Sequence, residues 1–283
     1  MSNYDDVHAW LSVNSFSPNT ETRYLTALLR LAGDVPDLSA LTAPGLRTWL
    51  DAQPWGSSAR WVAFCACRGF LRWKFGPDHP ALALKIKRQD SGPQRTLKKR
   101  QVQDLLASFD TTRPKGIRDL AICTLMLDSG LRVSEVCRLE VRHVDLEERN
   151  LKVVVKGGKW AEGVFSSYTA LYLSNWLAIR GDYAAPLVKT FFVGIGGNKP
   201  GTSLTRNGLQ VIFRYWGKQA GIGPLSPHDL RRTFATLATR AGAPGRVLQA
   251  AGRWSNISMV ERYTRAIDAV DFEPYFPVSN ALE

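Results

Sequence analysis

The 283 residues hold only four cysteines, four histidines and three methionines. The cysteines are Cys65, Cys67, Cys123 and Cys137, and neither they nor the histidines fall at zinc-ligand spacing. Cys65 and Cys67 stand two apart, so on a helix they point in different directions. Buried, reduced thiols are therefore expected, with no structural metal. No apolar run approaches the roughly 20 residues needed to cross a bilayer. The first ten residues lack the basic-then-apolar pattern of a signal peptide. No internal repeat or low-complexity tract is present. A soluble, cytoplasmic protein is the expectation.

Positive charge is what the chain has in excess. Its 37 Lys/Arg against 25 Asp/Glu give +12 at pH 7. Residues 1–94 hold 10 basic and 8 acidic side chains, and residues 95–283 hold 27 and 17. The excess thus lies mostly in the second part. A polyanionic partner fits this balance, as does a merely soluble basic surface, and composition alone does not choose.

The chain reads as two domains. Residues 1–88 are helical, 89–96 form a polar linker carrying Gly92 and Pro93, and 97–283 form a larger domain. In the first part Ser17 and Pro18 supply an N-cap and first-turn proline. Tyr24, Leu25, Leu28, Leu29 and Ala32 then make one apolar stripe, ended by Gly33. Thr42–Leu50 predicts a second helix, and Ser57 or Ser58 opens a third that runs to about Phe75. That third helix mixes aromatics, expected in the core, with arginines suited to phosphate. In the second part helices are expected over Lys98–Phe109, Ile117–Ser129, Val133–Leu139, Thr169–Arg180, Thr205–Ala220 and Pro227–Arg240, with short ones over Pro244–Gly252 and Ser258–Tyr263. Gly130 is the expected C-cap of its helix. Asn150–Val155 reads as a strand entering a hairpin at Gly157 and Gly158, and Thr190–Val193 as another short strand. The fold class is mainly α with a small antiparallel sheet.

Four segments stand out. They are Gly130-Leu131-Arg132-Val133-Ser134-Glu135, the hairpin run from Val153 to Lys159, the run from Pro227 to Thr236 with His228 and Arg231, and the run from Gly252 to Tyr263 with Trp254. Each alone has an ordinary structural reading. Arg132 could pair with Glu135 three residues on. Lys156 could be a solvated hairpin lysine, His228 a capping residue and Tyr263 part of a core.

Taken together and in order, these segments resemble the tyrosine recombinase and integrase family, which includes the Xer proteins, Cre and many phage integrases. The family pattern is an LRxSE box, a hairpin lysine, an H-x-x-R box, a His or Trp, and a tyrosine nucleophile. Here Lys156 lies 24 residues after Arg132, His228 and Arg231 are three apart, and Trp254 precedes Tyr263 by nine. The resemblance covers nearly the whole chain, because the helical N-terminal part is similar to the family's SAM-like core-binding domain. There are departures. Trp254 stands where histidine is commoner, and the hairpin continues from Trp160 without the family's usual basic residue and proline, which keeps Lys159 open as an alternative to Lys156. Arg232 stands where many relatives have a second histidine.

The resemblance implies a fold of core-binding domain plus mixed α+β catalytic domain. It implies the catalytic set Arg132, Lys156, His228, Arg231, Trp254 and Tyr263. A phenol with an unperturbed pKa near 10 needs activation before it can attack phosphorus. Guanidiniums hold the charge of the transition state, since they stay ionised and bind phosphate through a planar fork. Trp254 can donate its indole N–H but cannot act as a base. Lys156 would protonate the leaving 5′-oxygen, and His228 would act as acid/base or phosphate donor. Glu135, and with it Asp229, would orient the basic residues. No cofactor and no metal is expected. The implied partner is duplex DNA with an inverted-repeat core site, bound by a homotetramer that is monomeric when free. Phe272, Tyr275 and Phe276, beyond Tyr263, would dock on a neighbouring subunit or pack on their own domain. Two rivals to recombination remain: a silent DNA-binding module of the same fold, and an enzyme like the type IB topoisomerases or telomere resolvases.

Overall fold

Helical periodicity organises most of the chain, and in this computed structural model it produces twelve α-helices and one three-stranded sheet among the described residues. Those are residues 3–88, 95–155, 157–185, 188–197 and 199–264, with the side chains of 262–264 excluded. The chain divides into two compact units, Met1–Ser91 and Gly92–Glu283. No helix of the described residues is long and apolar enough to cross a membrane.

The first unit holds α1 (Asn3–Ser12), α2 (Pro18–Asp34), α3 (Ala43–Ala52), α4 (Ser57–Phe75) and a 3₁₀ turn at Pro80–Ala83. Ser17 caps α2 by accepting from the Thr20 N–H at 3.3 Å, and Thr42 caps α3 by accepting from Gly45 at 3.2 Å. α1 carries Val7, Trp10 and Leu11 into the core at helical spacing. Gly33 does not end α2; it lies inside the helix, where any Cβ would stand 3.0 Å from the Tyr4 hydroxyl. The aromatics of α4 divide. Phe64 and Phe70 are buried as expected, whereas Trp73 is 44 % exposed. Among its basic residues Lys74 is held by Asp6 at 2.8 Å, while Arg68 and Arg72 face solvent.

The second unit begins with residues fastened to it. Arg95 donates to the carbonyls of Ile222 and Pro224, and the Leu97 amide donates to Thr233 Oγ1 at 2.9 Å. It holds α5 (Lys99–Ala107), α6 (Pro114–Ser129), α7 (Val133–Arg138), α8 (Ser167–Arg180), α9 (Arg206–Gln219), α10 (Pro227–Arg240), α11 (Gly245–Ala251) and α12 (Ile257–Thr264). The sheet runs β1 (Val144–Asp145), β2 (Asn150–Val154) and β3 (Trp160–Val164), antiparallel in that order. α6 and α8 pack against each other, with α10 on α6. α6 is buried along almost its whole length, including Arg118 and Asp119. That pair survives burial because Asp119 Oδ1 accepts from Arg118 Nε at 2.8 Å and its Oδ2 accepts from Trp216 Nε1 at 2.8 Å.

The run Thr190–Val193, expected as a strand, makes only two isolated bridges, Glu140 to Thr190 and Val193 to Ser203. Its carbonyls are taken by side chains instead: Trp176 Nε1 donates to Phe191 O at 2.9 Å and Arg180 Nη2 donates to Thr190 O at 2.6 Å. All four cysteines are free thiols, and burial pushes the Cys67 thiol up to about 12 and raises that of Cys123 further.

Candidate active site

The site is built on two helix ends and two tight connections. α6 stops at Gly130, which takes the left-handed conformation (φ 59°) and returns its N–H to Met126 O. Only Leu131 separates it from Arg132, the N-cap of α7. Glu135, in the third position of that helix, accepts from the Arg132 amide at 2.9 Å and from Arg132 Nη1 at 2.8 Å. Glu135 is 3 % exposed and the Arg132 side chain 33 %, so the carboxylate lies beneath and the guanidinium reaches outward.

α10 begins with a reciprocal cap. Ser226 Oγ accepts from the Asp229 N–H, and Asp229 Oδ2 accepts from the Ser226 N–H at 2.8 Å. This sets His228 in the first turn, at the positive end of the helix dipole. Arg231 follows one turn later and turns inward, at 2 % exposure. Its Nη1 donates to Gly130 O and its Nη2 donates to Gly252 O at 2.6 Å. Its guanidinium carbon lies 4.7 Å from the Trp254 ring centroid, and that ring stacks on Phe234 at 6.3 Å. Arg231 thereby joins the end of α6 to the connection after α11. Gly252 is required by its neighbour, since a Cβ there would fall about 2 Å from Trp254 ring atoms.

His228 is open to solvent on one side, yet its pKa is lowered from 6.5 to about 4. Partial burial is the largest cause, followed by repulsion from Arg232, Arg231 and Arg132, with Asp229 opposing. Arg232 is paired with Asp229 Oδ1 at 3.2 Å.

The structure thus brings Arg132, His228, Arg231 and Trp254 to one place from three separate stretches of chain. Two other expected residues are placed only in part. The β2–β3 hairpin closes through Val155 N–H to Lys159 O at 2.8 Å, with Gly157 and Gly158 at positive φ, and Lys159 is exposed. Lys156 lies outside the described residues. Tyr263 falls on α12, which packs against α10 and α11, but its side chain lies outside the described residues. So do Phe272, Tyr275 and Phe276.

Sequence reasoning missed Arg253. It has a left-handed backbone (φ 53°) and a side chain 3 % exposed, in the midst of the site. Nη2 donates to Ser129 O at 2.9 Å and lies 3.6 Å from Glu135 Oε2; Nη1 donates to Ala251 O at 2.8 Å. The signal available was a Gly252-Arg253-Trp254 turn with arginine where the left-handed conformation favours glycine, and a run of residues does not reveal φ.

Residues 95–269 match the model of the phage integrase family. The chain is 29 % identical over 260 residues to the tyrosine recombinase XerC of Haemophilus influenzae, covering 92 % of this chain and 79 % of that one. It is 30 % identical over 226 residues to the tyrosine recombinase XerD of Neisseria meningitidis serogroup B, covering 76 % and 74 %. Among solved structures, the Tn1549 transposon integrase in complex with transposon right end DNA superposes with a TM-score of 0.78 at 16 % identity, over 97 % of this chain and 98 % of that one. The XerH site-specific recombinase bound to a palindromic difH substrate gives 0.74 at 17 %, over 92 % and 80 %. The match over most of the chain, with the boxed residues converging in space, means that the chain belongs to the phage integrase family of tyrosine recombinases.

Proposed function

We propose that the protein is a site-specific recombinase, a DNA strand transferase that breaks and rejoins duplex DNA through a 3′-phosphotyrosine at Tyr263. The observation that carries this reading is the convergence of Arg132, Arg231, His228 and Trp254 at one locus, within a chain of that family. The Tyr263 oxygen attacks the scissile phosphorus, and the bond to the 5′-oxygen breaks. Lys156 protonates the departing oxygen; Lys159 is the alternative donor on the same hairpin. Arg132 and Arg231 hold the negative charge that accumulates on the non-bridging oxygens, where fixed donors contribute most. His228, neutral in the free protein, gains a proton as phosphate arrives or donates a hydrogen bond to it. Trp254 supports Arg231 and supplies an indole N–H. The freed 5′-hydroxyl of a partner strand then attacks the phosphotyrosine, which conserves the phosphodiester and yields a Holliday junction.

Four protomers on two inverted-repeat sites carry out the exchange, with the protein monomeric when free. Residues 1–88 serve as the core-binding domain, 89–96 as the linker and 97–283 as the catalytic domain. The biological outcome is integration or excision of a mobile element, or dimer resolution. The test is a nicked duplex drawn from DNA flanking the protein's own gene, incubated without metal and run on a denaturing gel. A covalent adduct lost in Tyr263→Phe supports the reading. Salt-sensitive binding with no adduct on a random-sequence duplex library would indicate a silent DNA binder. Supercoil relaxation without Holliday junctions would indicate a topoisomerase.

A further inference from the structure

Arg132 cannot offer a full positive charge to phosphate if Glu135 neutralises it. Glu135 is nine-tenths buried or more, and its Oε1 takes the Arg132 guanidinium at 2.8 Å. As a pair they carry no net charge. The second oxygen, Oε2, lies 3.6 Å from Arg253 Nη2, whose side chain is 3 % exposed. Two guanidiniums therefore share one carboxylate, and the cluster keeps one positive charge.

The geometry points to Arg253 as a positioning residue that occupies Glu135 as counter-charge and so leaves Arg132 cationic for the scissile phosphate. This rests on the recombinase reading. Arg253 is fixed for the task on every side. It donates to Ser129 O at 2.9 Å and to Ala251 O at 2.8 Å, so it cannot swing outward to phosphate itself. Its own carbonyl accepts from Arg132 Nη2 at 3.4 Å, which sets the direction of that guanidinium. Gly163 on β3 makes room, since a Cβ there would stand 3.0 Å from Arg253 Nη1. The left-handed backbone at Arg253 turns its side chain inward while the next residue, Trp254, packs beside Arg231. Burying an arginine is unfavourable unless it is paired, so its place here needs the carboxylate, and the carboxylate needs it.

The test uses the wild-type adduct to map the scissile phosphate on the flanking-DNA duplex, then compares that phosphodiester with a neutral methylphosphonate at the same position. Arg253→Met should slow adduct formation about a hundredfold on the phosphodiester, with duplex binding nearly unchanged, as for loss of one transition-state donor. On the methylphosphonate, which carries one negative charge fewer, the gap to wild type should shrink to about tenfold or less, because the charge of Arg132 matters less there. Arg253→Met combined with Glu135→Gln restores one net positive charge and should recover about tenfold over Arg253→Met alone. Arg253→Lys keeps the charge and should stay within about tenfold of wild type. The inference is overturned by equal losses on both substrates in a folded Met variant, or by no recovery in the double variant. If the Met variant does not fold, a folded Lys variant that loses a hundredfold overturns it. Absence of any wild-type adduct defeats the recombinase reading, and this inference with it.

Discussion

Gly130 joins the fold to the chemistry, and replacing it with alanine tests that link. Its φ of 59° is open to glycine and unfavourable for alanine by about 1 kcal/mol or a little more. A Cβ would also lie 2.4 Å from Phe234 Cδ1, inside the ring's contact distance. Overpacking of that kind costs about 1–3 kcal/mol. The smaller entropy of the unfolded alanine chain returns roughly 0.5 kcal/mol. Gly130→Ala should therefore lose about 2–4 kcal/mol. In a unit of this size each kcal/mol moves Tm by roughly 3 °C, so the expected fall is about 6–12 °C. Function should suffer beyond stability, because the Gly130 carbonyl accepts from Arg231 and Arg132 lies two residues on. At a temperature where both proteins are folded, adduct formation should drop by about tenfold or more. Phe234→Leu separates the two contributions. In a double-mutant cycle by thermal melting, it should relieve the steric part, a coupling of about 1–2 kcal/mol, and leave the backbone part. A Gly130→Ala melt within a degree or two of wild type, or a cycle with no coupling, would refute the argument.

Gly252→Ala pushes a methyl into the Trp254 ring at ordinary φ, so it should cut adduct formation strongly and blue-shift or broaden tryptophan fluorescence, read against a Trp254→Phe control. For His228, NMR titration of the free protein should give a midpoint near 4, rising toward 6.5 or above once duplex DNA brings phosphate among the guanidiniums. Since its folded pKa lies below the unfolded 6.5, the unfolded chain binds the extra proton; native stability falls as pH drops from about 6.5 toward 4, and His228→Gln should make that fall shallower in melts. Asp119→Ala leaves Arg118, 4 % exposed, without its carboxylate and frees Trp216 Nε1; a loss of about 3–5 kcal/mol by denaturant titration is expected. Duplex binding should weaken about 10³–10⁵-fold between 50 and 200 mM salt if six to ten phosphates are contacted.

What could be read from the residues was local. Ser17 and Gly130 marked helix ends through a side-chain oxygen and a permissive backbone, and each acts as expected, while Thr42, read as the first residue of its helix, is the N-cap just before it. The set Arg132, His228, Arg231 and Trp254 was picked out by the resemblance of the four segments, in their order and offsets, to the family pattern, since each residue alone had an ordinary structural reading. What escaped depended on contacts between distant segments. Gly33 read as a stop because its role, clearance for Tyr4 twenty-nine residues earlier, has no local sign. Thr190–Val193 read as a strand because β-branched and aromatic residues favour one, whereas its carbonyls are claimed by Trp176 and Arg180 from α8. α1 went unmarked although Val7, Trp10 and Leu11 had the right spacing, because a ten-residue helix shows only three such apolar positions.

Arg253 shows why the boxes alone under-describe this site. The two arginines proposed to hold phosphate are themselves held by backbone carbonyls and one buried carboxylate: Arg231 by Gly130 and Gly252, Arg132 by Glu135 and the Arg253 carbonyl. The anchors come from two distant stretches, residues 130–135 and residues 252–253, so the charge constellation exists only once α6, α7, α10 and the connection after α11 have packed together. The same arrangement makes net charge a property of the cluster. With Glu135 divided between Arg132 and Arg253, and Asp229 held by Ser226 and Arg232, both buried carboxylates are committed away from the substrate. The cluster then keeps a net positive charge, and repulsion from Arg232, Arg231 and Arg132 adds to partial burial in lowering the His228 pKa.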